Sequence, residues 1–303
     1  MASISSTLGI LATLAKWFFT DKPTSAAIDI TRRCNLKCKH CYWWQQDHPP
    51  EMSTSETARF MKSLKASGLR VALLYGGEPT LRLELCREAS RIFDSALIFT
   101  NGLNGFPELG NAQWLVSLEG PREINDAIRG DGVYEEVKRN ISRAHRAPLV
   151  HMTICRPNSS RKAIEGFVRE MCSLPIKGIG FSFYTPVNSP ADGELFVPLH
   201  ERDQIVDLLL NLREKYGKRV GITQAMARQL KSNGAFAHWN QYQLCPVSER
   251  VRCFCSDGSP KRCTYGDEAD CSKCGCAAVV AYRGAFHPLD LSTLRVIIGL
   301  LRP

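Results

Sequence analysis

Between residues 25 and 215 the chain alternates short apolar runs with longer stretches in which apolar residues recur every three or four positions. The short runs are 26–30 (AAIDI), 69–75 (LRVALLY), 96–100 (ALIFT), 114–117 (WLVS), 149–154 (LVHMTI) and 179–184 (IGFSFY). Continuous apolar runs of this length predict strands buried on both faces. Residues 53–67, 83–93, 133–145, 159–171 and 202–216 predict helices. Phe60, Met61 and Leu64 share a face of the first, and Ile205, Leu208, Leu209 and Leu212 mark a face of the last. Thr54 is a candidate cap of the first helix, and Asn158 or Ser159 of the fourth. Six such repeats predict an α/β fold, a partial (βα)6 TIM-like barrel with helices outside and ligands at the C-terminal strand ends.

After residue 220 the pattern loosens, and from Cys245 onward Cys, Arg, Gly and Asp displace aliphatic residues. The expected organisation is an apolar N-terminal helix (1–24), the barrel (25–220), a linker with a small cysteine-rich domain (221–289) and an apolar C-terminal helix (290–303) capped by Asp290 or Ser292. No apolar run reaches the roughly 20 residues of a membrane-spanning helix. Residues 8–19 are interrupted by Lys16, and no Lys or Arg precedes them, which argues against a secretion signal. The two ends read either as helices packed on the core or as segments lying in a membrane interface. Trp17, Phe18 and Phe19, beside basic residues, suit the second reading. The formal charge of +9 favours an anionic surface or nucleic acid, but weakly for 303 residues.

Thirteen cysteines change the picture. An odd count excludes a complete disulfide framework within the chain, and a chain this long needs no such staples, so metal ligands or reactive thiols in a reducing compartment are expected. Cys34, Cys38 and Cys41 form a C-x3-C-x2-C run directly after the first strand. Three thiolates on one loop can each bind a different iron of a [4Fe–4S] cluster, leaving one iron open to a ligand. The alternative is a zinc site with His40 as fourth ligand.

Further motifs follow in order, each at a strand end: Gly76-Gly77-Glu78-Pro79, Thr100-Asn101-Gly102, Val116-Ser117-Leu118-Glu119-Gly120, then Asp126-Ala-Ile-Arg129-Gly130 with Gly132-Val-Tyr134. With the cysteine run followed by Tyr42, this series resembles the radical S-adenosylmethionine superfamily over residues 25–215. The resemblance implies a [4Fe–4S] cluster on Cys34, Cys38 and Cys41, with S-adenosylmethionine chelating the open iron. Reduced flavodoxin or ferredoxin would supply the electron that yields a 5′-deoxyadenosyl radical. It implies cofactor contacts at Tyr42 (adenine), Gly76, Gly77 and Glu78 (the methionyl ammonium), Asn101, and Ser117 and Glu119 (ribose or carboxylate). Glu119 stands where Asp is often found. Ordinary turn chemistry is the alternative for Asn101 and Ser117.

At the other end, Cys245 and Cys263 enclose Gly258 in a C-x12-G-x4-C segment that reads as a hairpin, followed by Cys271-x2-Cys274. This resembles the shortened auxiliary-cluster (SPASM/Twitch) domain of the same superfamily. It implies a second [4Fe–4S] cluster on Cys245, Cys263, Cys271 and Cys274, with Cys253, Cys255 and Cys276 as alternates; a zinc ribbon is the competing reading. Cys155 and Tyr184, at the fifth and sixth strand ends, are candidate catalytic or pocket residues, each with packing as the alternative.

Two substrate classes are expected. The apolar ends, and a tail that loosely resembles radical enzymes acting on hopanoid or archaeal lipids, point to an unactivated carbon of a membrane lipid. This implies a cytoplasmic protein held peripherally on the inner membrane surface. The alternative is maturation of a ribosomal peptide, although no winged-helix-like recognition domain precedes the barrel. A nucleic-acid-binding module, suggested by Arg250, Arg252, Lys261 and Arg262, is disfavoured by the ordered cofactor motifs.

Overall fold

The computed structural model describes residues 15–16, 19–20, 22–234, 245–286 and 288–302. The N-terminal apolar stretch 8–19 therefore lies outside the described residues, apart from 15, 16 and 19. Six parallel strands form the partial barrel: β1 (Ser25–Asp29), β2 (Val71–Tyr75), β3 (Ser95–Thr100), β4 (Ala112–Ser117), β5 (Leu149–Ile154) and β6 (Gly178–Phe183). They lie side by side in chain order, each in parallel register with the next. Their runs are almost wholly buried, as strands covered on both faces must be.

Helices α1 (Thr54–Ala66) and α2 (Leu83–Ile92) fill the β1–β2 and β2–β3 crossovers, α3 (Arg122–Arg129) and α4 (Val133–Arg143) share the β4–β5 crossover, α5 (Arg161–Met171) fills β5–β6, and α6 (Leu199–Tyr216) follows β6. The β3–β4 connection carries no helix, unlike the regular repeat expected. Two caps differ from expectation. Ser53, not Thr54, caps α1, because Glu56 stands three residues on and completes a reciprocal capping box. Ser160 caps α5, accepting from Ala163 N; Asn158 is drawn inward, donating to the carbonyls of Glu119 and Thr153. Helix α3 is missing from the apolar pattern because its face toward the barrel is polar: Asn125 and Arg129 are buried beside Ile128.

The cysteine-rich region does not form a sheet of its own. Strand β7 (Val251–Phe254) pairs in parallel with β1, and the two-residue strand β8 (Pro260–Lys261) folds back on it as the expected hairpin. At the opposite edge of the sheet, Phe183 N donates to Gly275 O at 3.0 Å, and Gly275 N donates to the Thr185 hydroxyl. A Cβ at Gly275 would overlap the Phe183 carbonyl, so this approach demands glycine. The C-terminal region thus engages both edges of the open barrel, β1 and β6, and covers backbone groups that would otherwise be unpaired.

Helices α7 (Gln224–Leu230), α8 (Ala277–Phe286) and α9 (Leu291–Leu301) complete the described chain. Asp290 caps α9. That helix buries Thr293, Ile297 and Leu301, and its Leu301 carbonyl accepts from Ser95 at the start of β3. Leu300 joins Leu97, Leu115 and Leu149 in one apolar cluster. The C-terminal helix therefore packs on the core, leaving Leu289 and Leu291 exposed. Among the described residues no helix is long and apolar enough to cross a membrane.

Candidate functional site

The loop after β1 carries Cys34, Cys38 and Cys41 at the C-terminal strand ends. All thirteen cysteines are free thiols. Burial pushes up the pKa of all three loop thiols, that of Cys41 to about 12, and so suppresses their ionisation. A metal that binds there must displace protons and return the charge that burial denies the bare thiolates. Three thiols, with no carboxylate in the run, are a soft donor set suited to iron–sulfur ligation. His40 is turned away from the ligand role: its Nε2 bonds Glu119 Oε1 at 3.0 Å.

The motif at the end of β2 grips this loop. Gly77 N donates to Thr31 O at 2.9 Å and Glu78 N to Arg33 O at 2.8 Å. Gly76 has φ +122°, and a Cβ at either glycine would overlap the carbonyl of Thr31 or Arg33. The close approach expected of this pair is therefore made to the cysteine loop's own backbone. Glu78 is buried, with donors already placed. Oε1 accepts from Thr80 N, Thr80 Oγ1 and Thr100 Oγ1, and Oε2 from Asn101 N at 2.7 Å. This carboxylate ties the second strand end to the third. Asn101 bonds Asn35 of the cysteine loop through Nδ2 (2.7 Å) and accepts from Leu103 N in a local turn.

Ser117 ends β4, half-buried. Two residues on, Glu119 is wholly buried. Its Oε1 accepts from Arg129 Nη2 at 2.8 Å, Arg129 Nε at 3.2 Å and His40, and Oε2 accepts from Thr153 N at 2.8 Å. Burial alone would raise this carboxyl, but His40 and Arg129 hold it down at about 2. Glu119 thus braces the cysteine loop, α3 and β5 together. Arg129 completes the brace, its Nη1 lying 3.9 Å from Cys38 Sγ. Asp126 explains the rest of that motif, accepting from Gly132 N and Tyr134 N to join α3 to α4. His151, on β5, is pushed down to about 4 by burial and is neutral near pH 7.

The expected adenine contact, Tyr42, packs edge-on against Tyr265 of the C-terminal region, with ring centroids 5.2 Å apart. Gln46 donates to the carbonyls of both tyrosines. The ring therefore serves a seam between barrel and C-terminal region. Cys155 is fully buried and packs with Ile128, Tyr184 and Leu195, and burial raises its thiol to about 12. Tyr184 donates its hydroxyl to Asp192 at 2.7 Å.

Cys245, Cys263, Cys271, Cys274 and Cys276 line one cavity together with Thr185, Thr264 and Tyr265. Cys253 and Cys255 do not line it. Cys253 lies buried on β7 opposite Ala27 of β1, and Cys255 follows the strand end, where its N donates to Ser259 O. Thr185 Oγ1 stands 3.9 Å from Cys274 Sγ. Burial raises the Cys263 thiol to about 11 and Cys276 to about 12. Five cysteines lining one cavity are a soft donor set from which a cluster could take four, although among the described residues no three of them close on a single metal-ion position. Neither the Arg129–Cys38 contact nor the Thr185–Cys274 contact was legible as function in the sequence, because the partners lie 91 and 89 residues apart.

The radical SAM superfamily model matches residues 28–171. Fe-coproporphyrin III synthase of Methanosarcina barkeri is 36% identical over 137 residues, 41% of this chain and 34% of its own length. The sporulation killing factor maturation protein SkfB of Bacillus subtilis is 33% identical over 213 residues, 66% of this chain and 52% of its own. The chain thus spans about a third to a half of the length of these curated relatives. Among solved structures, Streptococcus suis SuiB bound to precursor peptide SuiA has a TM-score of 0.60 at 15% identity, covering 89% of this chain and 67% of that one. The enzyme anSMEcpe with bound AdoMet and Cp18Cys peptide has a TM-score of 0.57 at 15% identity, covering 90% and 84%. These structural likenesses show a shared fold.

Proposed function

The chain belongs to the radical SAM superfamily, and we propose that it matures a peptide, acting on an unactivated carbon of that peptide. The observation that carries this reading is the reach of the match to the sporulation killing factor maturation protein. At 213 residues it is longer than the stretch 28–171 that the superfamily model covers, so it extends beyond the common cofactor machinery. Relatives named for haem synthesis match 41–46% of this chain. Enzymes solved with peptides bound are built on the same fold. The lipid reading gains no comparable support, since the apolar C-terminal helix is packed against the core.

In this reading Cys34, Cys38 and Cys41 hold the cofactor-cleaving cluster. When bound, the cluster and S-adenosylmethionine together supply a 5′-deoxyadenosyl radical. The chain's own part is to hold geometry and exclude water. Gly76, Gly77 and Glu78 keep the cysteine loop against the barrel, and Glu119, Arg129 and His40 brace it from the opposite side. Ser117, half-buried at its strand end, is a candidate contact for the cofactor. Cys245, Cys263, Cys271 and Cys274 are the candidate ligands of a second cluster that relays electrons or holds the peptide.

The test is anaerobic turnover of the reconstituted protein with a reductant, S-adenosylmethionine and short peptides encoded beside its gene. Release of 5′-deoxyadenosine and a peptide mass change that depend on Cys34, Cys38 and Cys41 are expected. No 5′-deoxyadenosine from a fully iron-loaded protein would sink the enzyme reading. Conversion of Fe-coproporphyrin III with no peptide modified would sink the peptide reading alone.

A further inference from the structure

The cavity that gathers the C-terminal cysteines has a buried cation behind its wall. Arg202, in the first turn of α6, is fully buried. Its Nη1 donates to the carbonyl of Cys274 at 2.8 Å, its Nη2 to that of Lys273 at 3.0 Å and its Nε to that of Val197 at 3.1 Å. Phe183 and Phe196 face the guanidinium, with ring centroids 4.7 and 5.4 Å away. Among the described residues no carboxylate bonds or pairs with it.

Such a cation is costly unless a charge answers it. Carbonyls satisfy its N–H groups and aromatic faces offset part of the desolvation, but neither carries net charge. A guanidinium does not escape by losing its proton. The nearest candidates for the missing negative charge are the thiolates that surround the cavity, beginning with Cys274, whose own carbonyl Arg202 holds. A four-thiolate cluster is anionic and becomes more so when reduced. A fixed cation at this position therefore favours the reduced form and raises the potential.

We propose that Arg202 is a positioning residue for the second cluster, fixing the Lys273–Cys274 turn and supplying a buried counter-charge that raises the cluster's reduction potential. The inference rests on the reading of Cys245, Cys263, Cys271 and Cys274 as ligands of that cluster.

The experiment replaces Cys34, Cys38 and Cys41 together by Ala, so that only the second cluster reports, and compares Arg202, Arg202→Lys and Arg202→Gln. Iron is counted, and the midpoint potential is read by EPR-monitored titration. About four irons per chain are expected for one cluster. Arg202→Gln is expected to shift the potential to more negative values, and Arg202→Lys, which keeps the charge, to stay near the parent. Loading of Arg202→Lys but not Arg202→Gln also supports the counter-charge. A potential that neither variant moves, with iron retained in both, overturns the inference while leaving the second cluster in place. No iron in the Arg202 parent overturns the second-cluster reading, and the inference with it.

Discussion

His40 and Glu119 are joined by a 3.0 Å hydrogen bond that ties the cysteine loop to the segment after the fourth barrel strand. Arg129 grips the same carboxylate and reaches toward Cys38. One buried acid therefore anchors both a neighbour of two cysteines and a donor to one of them. Glu119→Gln is expected to leave Arg129 buried without its counter-charge and to destabilise the protein by about 3–5 kcal/mol. Urea unfolding and iron retention measure this. A variant as stable and as iron-rich as the parent would show that the brace is dispensable.

The same carboxylate predicts a pH dependence. Its folded value, about 2, lies below the ordinary 4.5. Its contribution to stability is therefore complete above about pH 4.5 and is lost as pH falls toward 2. The shift corresponds to about 3 kcal/mol at 1.36 kcal/mol per unit. Unfolding free energy followed from pH 6 to pH 3 should fall less steeply in Glu119→Gln than in the parent; parallel curves would contradict the assignment.

Gly77→Ala tests the grip of the second strand end on the cysteine loop. The new methyl group meets backbone, the Arg33 carbonyl and Cys34 N, so no side chain can swing aside to accommodate it. Loss of iron from the first cluster is expected, with the second cluster retained. Full iron content and an unchanged melting temperature would show that the loop can give way.

Cavity membership divides the C-terminal cysteines. Alanine at Cys245, Cys263, Cys271 or Cys274 should halve the iron from about eight to about four per chain. Cys253→Ala should keep all of it, at a cost in stability of about 1 kcal/mol for a small buried side chain. Iron loss in Cys253→Ala with a normal melting curve would return Cys253 to the ligand set.

Tyr184→Phe removes one hydroxyl bond to Asp192, worth about 1 kcal/mol. Cys155→Ala removes a thiol enclosed by Ile128, Tyr184 and Leu195. Both variants should still release 5′-deoxyadenosine and modified product. Retained 5′-deoxyadenosine with product lost in either one would identify a residue that handles substrate.

The strands were legible because a strand covered on both faces has few polar choices: 149–154 is found at the expected residues, and the other five within two residues at either end. The cysteine clustering was legible because the members of each group lie close along the chain. Helix α3 was not, since Asn125 and Arg129 turn a polar face inward toward partners outside the local pattern. The polar motif residues were visible as residues but not as contacts. Glu78 and Glu119 look like ligand-binding carboxylates in a list of motifs, yet each is already met by donors from neighbouring strand ends.

From the sequence alone, then, the repeated βα architecture, the family resemblance and the two groups of cysteines could be read, because each is written in residues close along the chain. The tertiary structure decided what sequence separation conceals. The hairpin joins β1 while Gly275 docks on β6, so that the cysteine-rich region engages both open edges of the barrel. Five of seven C-terminal cysteines share one cavity. Arg202, more than seventy residues from Cys274, places a buried charge beside it. Such contacts arise only when the sheet brings distant segments within hydrogen-bond reach, where burial makes every unpaired charge count.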